Sequence, residues 1–395
     1  MEVLVSETIQ LPFEQPAPLQ PAPLLRRLQG EGAIHRVRTA VGDPAWLVTG
    51  YETVRGLLDD GRLGRSHPDP DSAARTGESA LFGGPLGDFA TEHADHARMR
   101  SLLQPLFSPK RMRALRSRVD ELTCRLLDEM AEHGPPTDLH EALAVPLPIA
   151  VICDLLGVDY ADRAQFRAWT QAAGDVRDGA RSAQGLADLF AYGQELVARK
   201  RREPGDDVIS QLSATAGVSD AEAAAMGMFL LFAGHETTVV AIGIGAVRLL
   251  THPTQWQALL TDPTRIGQAV EEVLRTQGSG GGGINRYART DLDVCGVRVR
   301  TGELVLLDIG AANHDGAAFP DPDRFDLDRR DARHVTFGHG ARYCIGAPLA
   351  RIELAAVFSQ LIPRFPAMRL AVAVEELALN TTTLTGGLLE IPVTW

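Results

Sequence analysis

Phe337-Gly338-His339-Gly340-Ala341-Arg342-Tyr343-Cys344-Ile345-Gly346 is the stretch that decides how this chain folds. Three glycines surround one thiol, an aromatic opens the loop, and a cation stands two residues before the sulfur. Downstream, Ala347-Pro348-Leu349-Ala350-Arg351-Ile352-Glu353-Leu354 has helical apolar spacing, with Pro348 suited to a first turn. A thiol just ahead of a helix meets unpaired N–H groups and the positive end of the dipole, which favour the thiolate. Glycines let the backbone approach a flat ligand closely, and Arg342 can meet an anion on it. Other readings of Cys344 compete. A lone cysteine is more often a small buried hydrophobe, zinc needs more ligands at short spacing, and a catalytic thiol needs a base, locally His339.

The rest of the chain frames that loop. With 395 residues, 45% of them hydrophobic, it can bury a large core as one domain spanning 1–395. Cys124, Cys153, Cys295 and Cys344 are scattered, with neither metal spacing nor disulfide rhythm, which suits a reducing cytoplasm. The N-terminal stretch, broken by Pro12, Pro16, Pro18, Pro21 and Pro23, holds no apolar run long enough for a membrane span or a signal peptide. A net charge of −12 argues against a nucleic-acid partner. The balance is uneven, however. Arg98, Arg100, Lys110, Arg111, Arg113, Arg116 and Arg118 follow one another with no Asp or Glu among them. This 98–118 stretch is either a solvated face or a docking patch for an acidic protein.

Periodicity predicts a mainly α chain with a smaller β region, an α+β fold. Helical spacing dominates 93–275 and 345–366, while strand-like runs fall in 33–50, 284–310 and 377–395. The longest helix is predicted from Ser219 to Leu250, opened by the capping box Ser219-Asp220-Ala221-Glu222 and stopped by Thr251-His252-Pro253. Its middle reads Ala233-Gly234-His235-Glu236-Thr237-Thr238. Ala233 and Thr237 share a face one turn apart, and Gly234 thins the helix beside them. An acid next to a hydroxyl in an apolar helix is costly unless partnered. Either Thr237 bonds back to its own backbone, or it works with Glu236 at a local kink. Glu272 and Arg275 stand at i and i+3 on a predicted helix, Ile266–Arg275. His96 and Arg100, at i and i+4, can meet one anion while Arg98 faces elsewhere.

The Cys344 loop, the Ala-Gly-His-Glu-Thr segment, and Glu272-x-x-Arg275 ahead of Phe319-Pro320-Asp321-Pro322-Asp323-Arg324-Phe325 together resemble the cytochrome P-450 superfamily, from Tyr51 to Trp395. The resemblance implies haem b lying between the long helix and the Cys loop, with Cys344 as the iron ligand. Phe337, Gly338, Arg342 and Gly346 would shape that loop, and Ala233 and Gly234 would leave room for dioxygen. Glu236 and Thr237 would relay protons. His96, Arg100, Arg286, His334 and Arg342 would meet the haem propionates, and Glu272, Arg275 and Arg324 would form a buried charge network. Phe229, Phe232, Ala233, Gly282 and Leu384 would line the substrate space. Where the family usually carries an apolar segment, this chain has Gly278-Ser279-Gly280-Gly281-Gly282-Gly283, either a floppy connection or an enlarged pocket wall.

The implied activity is insertion of one oxygen atom from dioxygen, by hydroxylation or epoxidation, into a bulky apolar natural product such as a macrolide or polyketide, as in antibiotic biosynthesis. Electrons would come from NAD(P)H through a separate ferredoxin reductase and ferredoxin, docking on 98–118. The implied location is cytoplasmic, without a membrane. Oxidative coupling or rearrangement without oxygen insertion is one alternative. A non-catalytic haem sensor is another, against which the intact Glu236/Thr237 pair speaks.

Overall fold

The computed structural model describes residues 9–395 apart from 16, 279–281 and 331–332. Ser279, Gly280 and Gly281 of the glycine run therefore lie outside the described residues. The chain forms two compact units. The first comprises Met1–Glu92, Arg275–Arg324 and Asp331–Cys344, and the second His93–Leu274, Phe325–Arg330 and Ile345–Trp395.

The first unit is built on a mixed sheet in the order Ile34–Arg38, Pro44–Val48, Leu304–Leu307, Ile284–Ala288, Leu63–Gly64. Its ladders are antiparallel except where Pro44–Val48 meets Leu304–Leu307, paired in parallel from Trp46↔Val305 to Val48↔Leu307. Leu304-Val305-Leu306-Leu307 is apolar without alternation because both faces of that strand are covered. Leu304 and Leu306 pack with Leu25 and Leu28 of the helix Pro23–Glu31. Val305 and Leu307 pack with Val54, Leu57 and Leu58 of the helix Tyr51–Leu58. Val294–Val299, strand-like in sequence, is part of a hairpin: Leu292–Val294 pairs with Val297–Val299 across Cys295-Gly296, both at positive φ.

The second unit is helical around Asp220–Leu250. Ser219 Oγ accepts the Glu222 amide at 3.2 Å, as a capping residue does. Glu222 leaves the expected box incomplete and turns its carboxylate to Arg98 instead. By length and hydropathy this helix could cross a membrane, but 72% of its most apolar window is buried inside the protein, the mark of a core helix. Helices Pro146–Leu156, Gly179–Arg202 and Ala347–Arg364 pack on it. A π turn at His140–Ala144 interrupts the predicted helical region, with no Pro or Gly to announce it. The tail contributes Pro392–Thr394 to a small antiparallel sheet, between Thr137–Asp138 and Arg369–Leu370. Around Gly386-Gly387 it folds back, the Asn380 amide donating to the Gly387 carbonyl at 2.8 Å.

Gly245 shows how closely the core helices approach: a Cβ there would stand 2.6 Å from Val273 Cγ1 and 2.7 Å from Phe358 Cζ. Gly245→Val should cost about 1–3 kcal/mol by overpacking, read from the urea midpoint. An unchanged midpoint would mean that these helices leave more room than the geometry shows.

Candidate active site

In the first unit, Gly338 (φ 74°) and Gly340 (φ 67°) both take left-handed backbone, so the loop before the thiol requires glycine twice. Gly340 is also pressed against the Asp59 carboxylate, which accepts the Ala341 amide at 3.2 Å. The Cys344 amide donates to the Phe337 carbonyl at 2.8 Å and closes the loop, with Cys344 left exposed. Two residues on, Gly346 is the N-cap of the helix Ala347–Arg364, and Pro348 lies in its first turn. His334 accepts the Thr336 amide on Nδ1 at 3.3 Å, and its ring centroid lies 6.0 Å from that of Phe337.

Arg342 belongs to a larger group of cations. Burial pushes Arg286 down to about 9, helped by the like charges of Arg65 and Arg342. Burial also lowers Arg65, whose Nε and Nη2 are buried without a hydrogen-bond partner among the described residues. Arg289 and Arg342 both reach Glu92, the carboxylate that offsets Arg65 and Arg286. Four guanidinium groups around one carboxylate make a largely dehydrated positive cluster, and such a cluster calls for an anion. The two carboxylates of haem b, with an exposed thiol in the same unit, fit that requirement. Arg65 and Glu92 were missed in the sequence because they flank a long irregular loop, where burial leaves no periodic trace.

In the second unit, Ala225, Phe229, Ala233 and Thr237 lie four residues apart and remain partly or fully exposed. The core helix thus keeps one open face. Thr237 Oγ donates to the Ala233 carbonyl at 2.9 Å, a back-bond of the kind that bends helices. The helix is nonetheless continuous through Gly234, so the expected kink is not a break. Glu236 lines a cavity of about 220 Å³ together with His140, Glu141, Arg167 and His235. Burial raises the Glu236 carboxyl above its usual range, with the charge of Arg167 opposing. Arg167 is itself held by Glu141, Nη1 to Oε2 at 2.8 Å and Nη2 to Oε1 at 2.6 Å. Burial pushes His235 down to about 4 and keeps it neutral. Glu236 can therefore hold a proton, with polar space on one side and the Thr237 hydroxyl next along the chain.

Several expectations need correction. Phe232 is only 5% exposed and lays its ring against Gly174, so it belongs to the core, whereas Phe229 (38%) and Leu384 (45%) are open. Gly282 is exposed, and no described atom lies within 4 Å of where its Cβ would be. Arg275, fully buried, donates to the carbonyls of Asn313, Pro322 and Arg324 at 2.8, 2.8 and 3.2 Å. Glu272 accepts the Asp326 amide at 3.0 Å and Arg329 Nε at 3.3 Å. Arg324 is exposed and offers its carbonyl to Arg275, and Arg329, beyond the motif that suggested Arg324, also brings a guanidinium to Glu272.

His96 and Arg100 are half-buried on one face of the helix Glu92–Leu103. The basic stretch is largely compensated, by distant acids for Arg98 (Glu222, 3.0 Å), Arg111 (Asp206, 3.5 Å) and Arg118 (Asp154, 2.7 Å), and one turn along its own helix for Arg116 (Asp120, 2.9 Å). Lys110 and Arg113 stay exposed, which narrows the expected docking patch to their neighbourhood.

The helix Ala347–Arg364 buries Glu353, whose Oε2 has no hydrogen-bond partner among the described residues. Burial pushes this carboxyl up to about 8, against 4.5 when unfolded. Between those values the folded protein binds the extra proton, so stability falls as pH rises through that window. Glu353→Gln should flatten the fall by a few kcal/mol, measured by urea unfolding at about pH 5 and about pH 8. An equally steep fall in the variant would rule out Glu353 as its source.

Comparison with known proteins places these features in context. The cytochrome P450 family model matches residues 194–370. Pentalenolactone synthase of Streptomyces exfoliatus is 46% identical over 99% of this chain and all of its own length. Mycinamicin IV hydroxylase/epoxidase of Micromonospora griseorubida is 39% identical, covering 93% of this chain and 94% of the relative. Among solved structures, the pimaricin epoxidase PimD superposes with a TM-score of 0.87 at 39% identity, over 98% of this chain and 100% of that one. A cytochrome P450 with biaryl coupling reactivity gives 0.85 at 37% identity, over 98% and 100%.

Proposed function

This chain belongs to the cytochrome P450 family and is a P450 monooxygenase; from that premise we propose that it inserts one oxygen atom from dioxygen, by hydroxylation or epoxidation, into a bulky apolar natural product of the macrolide or polyketide kind. The open stripe Ala225–Phe229–Ala233–Thr237 on an otherwise buried helix carries the reading. It sets apolar surface and a hydroxyl side by side, and Leu384 and Leu389 of the tail add exposed apolar surface to the same unit. The hydroxylase/epoxidase and the pimaricin epoxidase among the relatives support oxygen insertion into a macrolide. We take the chain as one catalytic domain working in the cytoplasm.

Haem b, when bound, supplies the redox chemistry that activates dioxygen. Cys344 would be its iron ligand. Arg65, Arg286 and Arg342 would hold its carboxylates, as would His96, Arg100 and His334. Gly338 and Gly340 let the backbone of the Cys loop turn as it does. Glu236, whose carboxyl is raised by burial, can hold a proton and pass it to the Thr237 hydroxyl, while the polar cavity behind Glu236 can replace it. Electrons come from redox partners, here proposed as a ferredoxin and its NAD(P)H-dependent reductase, with Lys110 and Arg113 as docking charges. The relative with biaryl coupling reactivity supports a second reading, oxidative coupling without oxygen insertion.

Soret-band titration with a panel of macrolides and polyketides should reveal a ligand that shifts the spin state, and turnover under ¹⁸O₂ should then label the product. Unlabelled product would favour coupling instead. Thr237→Ala should lower product formed per NAD(P)H consumed about tenfold or more; unchanged coupling would remove Thr237 from proton delivery. Arg113→Glu should slow reduction by an acidic ferredoxin roughly tenfold at low salt, with the difference fading as salt rises. A rate independent of this charge would place docking elsewhere.

A further inference from the structure

Glu92 takes no part in the chemistry above, yet both its oxygens are saturated. Oε1 accepts the Arg65 amide at 2.7 Å and Arg342 Nη2 at 2.5 Å. Oε2 accepts the Ser66 amide at 3.0 Å, the Ser66 hydroxyl, and Arg289 Nη1 at 3.2 Å. Gly64 makes the approach feasible, because a Cβ there would run into Glu92 Oε2. Burial opposes ionisation of Glu92, but the hydrogen bonds from Ser66 and Arg65 and the charge of Arg342 outweigh it and hold the carboxyl below its usual range. A buried carboxylate with this many donors is rigid. It ties the start of the Glu92–Leu103 helix to the guanidinium two residues ahead of the thiol.

We infer that Glu92 is a positioning residue for the cofactor: it fixes the Arg342 guanidinium for the haem carboxylates and offsets part of the surrounding positive charge, so that it governs both haem retention and the reduction potential of the iron. The inference rests on reading the guanidinium cluster as the carboxylate site of haem. Reduction adds an electron, so a fixed negative charge nearby disfavours it, and its removal favours it. Outer-shell partners of this kind typically change cofactor affinity by roughly 10–100-fold when removed.

The test compares haem transfer to apomyoglobin and the ferric/ferrous midpoint potential in the wild type, Glu92→Gln, Glu92→Asp, Arg342→Gln and the Glu92→Gln/Arg342→Gln pair. Glu92→Gln should release haem roughly tenfold faster and raise the midpoint, and Glu92→Asp should restore most of both. In the Arg342→Gln background, the additional Glu92→Gln change should leave the release rate nearly unaltered, because Glu92 acts on retention through Arg342. Additive effects on release, or a midpoint that does not move, would overturn the inference. If Glu92→Gln fails to fold, the pair read against Arg342→Gln decides the question, since both charges are then gone. Arg342→Gln with wild-type haem release would instead overturn the carboxylate-site reading, and the inference with it.

Discussion

Packing Arg65, Arg286, Arg289 and Arg342 around the single carboxylate of Glu92 is the most demanding thing the first unit does. A guanidinium group loses hydration on burial, and its like-charged neighbours raise the cost further. Glu92 repays part of this through close hydrogen bonds, but Arg65 still has buried N–H groups without acceptors among the described residues. A fold that tolerates such a cluster must expect an anion to complete it. The glycine-shaped loop with its exposed thiol ends in the same unit, so ligand atom and counter-charge come from one framework. Cofactor and scaffold then stabilise each other, since whatever binds the folded state alone shifts the folding equilibrium toward it.

The second unit meets a different constraint. Its central helix is apolar on nearly every side and must be covered, yet chemistry needs part of it uncovered. The compromise is a stripe with a four-residue step, closed elsewhere by helices that come close at Gly234 and Gly245. Thr237 satisfies its hydroxyl locally against the Ala233 carbonyl, so exposing it costs little. Glu236, one residue earlier, turns toward the polar cavity, where burial favours its protonated form. Adjacent residues on one helix thereby face different surroundings, which is what a proton relay between solvent and an apolar reaction space requires.

Local signals were legible in the sequence. Ser219 announced its cap, the Ile266–Arg275 helix falls where its spacing put it, and the helix after the Cys loop carries Pro348 in its first turn as its spacing indicated. Signals that depend on what folds against what were not. Phe229 and Phe232 look alike in sequence, but only the first falls on the four-residue stripe, and the second meets Gly174. The basic stretch read as unopposed because Glu222, Asp206 and Asp154 arrive from distant helices and loops. Arg329 reaches Glu272 through the course of an irregular meander that no periodicity describes. Charge pairing over long sequence separations is set by topology, and a single sequence does not display it.

The most direct test of the central claim is the visible spectrum of the reduced, carbon-monoxide-treated protein, compared between the wild type and Cys344→Ser. The account predicts a red-shifted Soret band characteristic of thiolate ligation in the wild type and its loss in the variant. Identical spectra for the two proteins, or no haem band in the wild type, would contradict it.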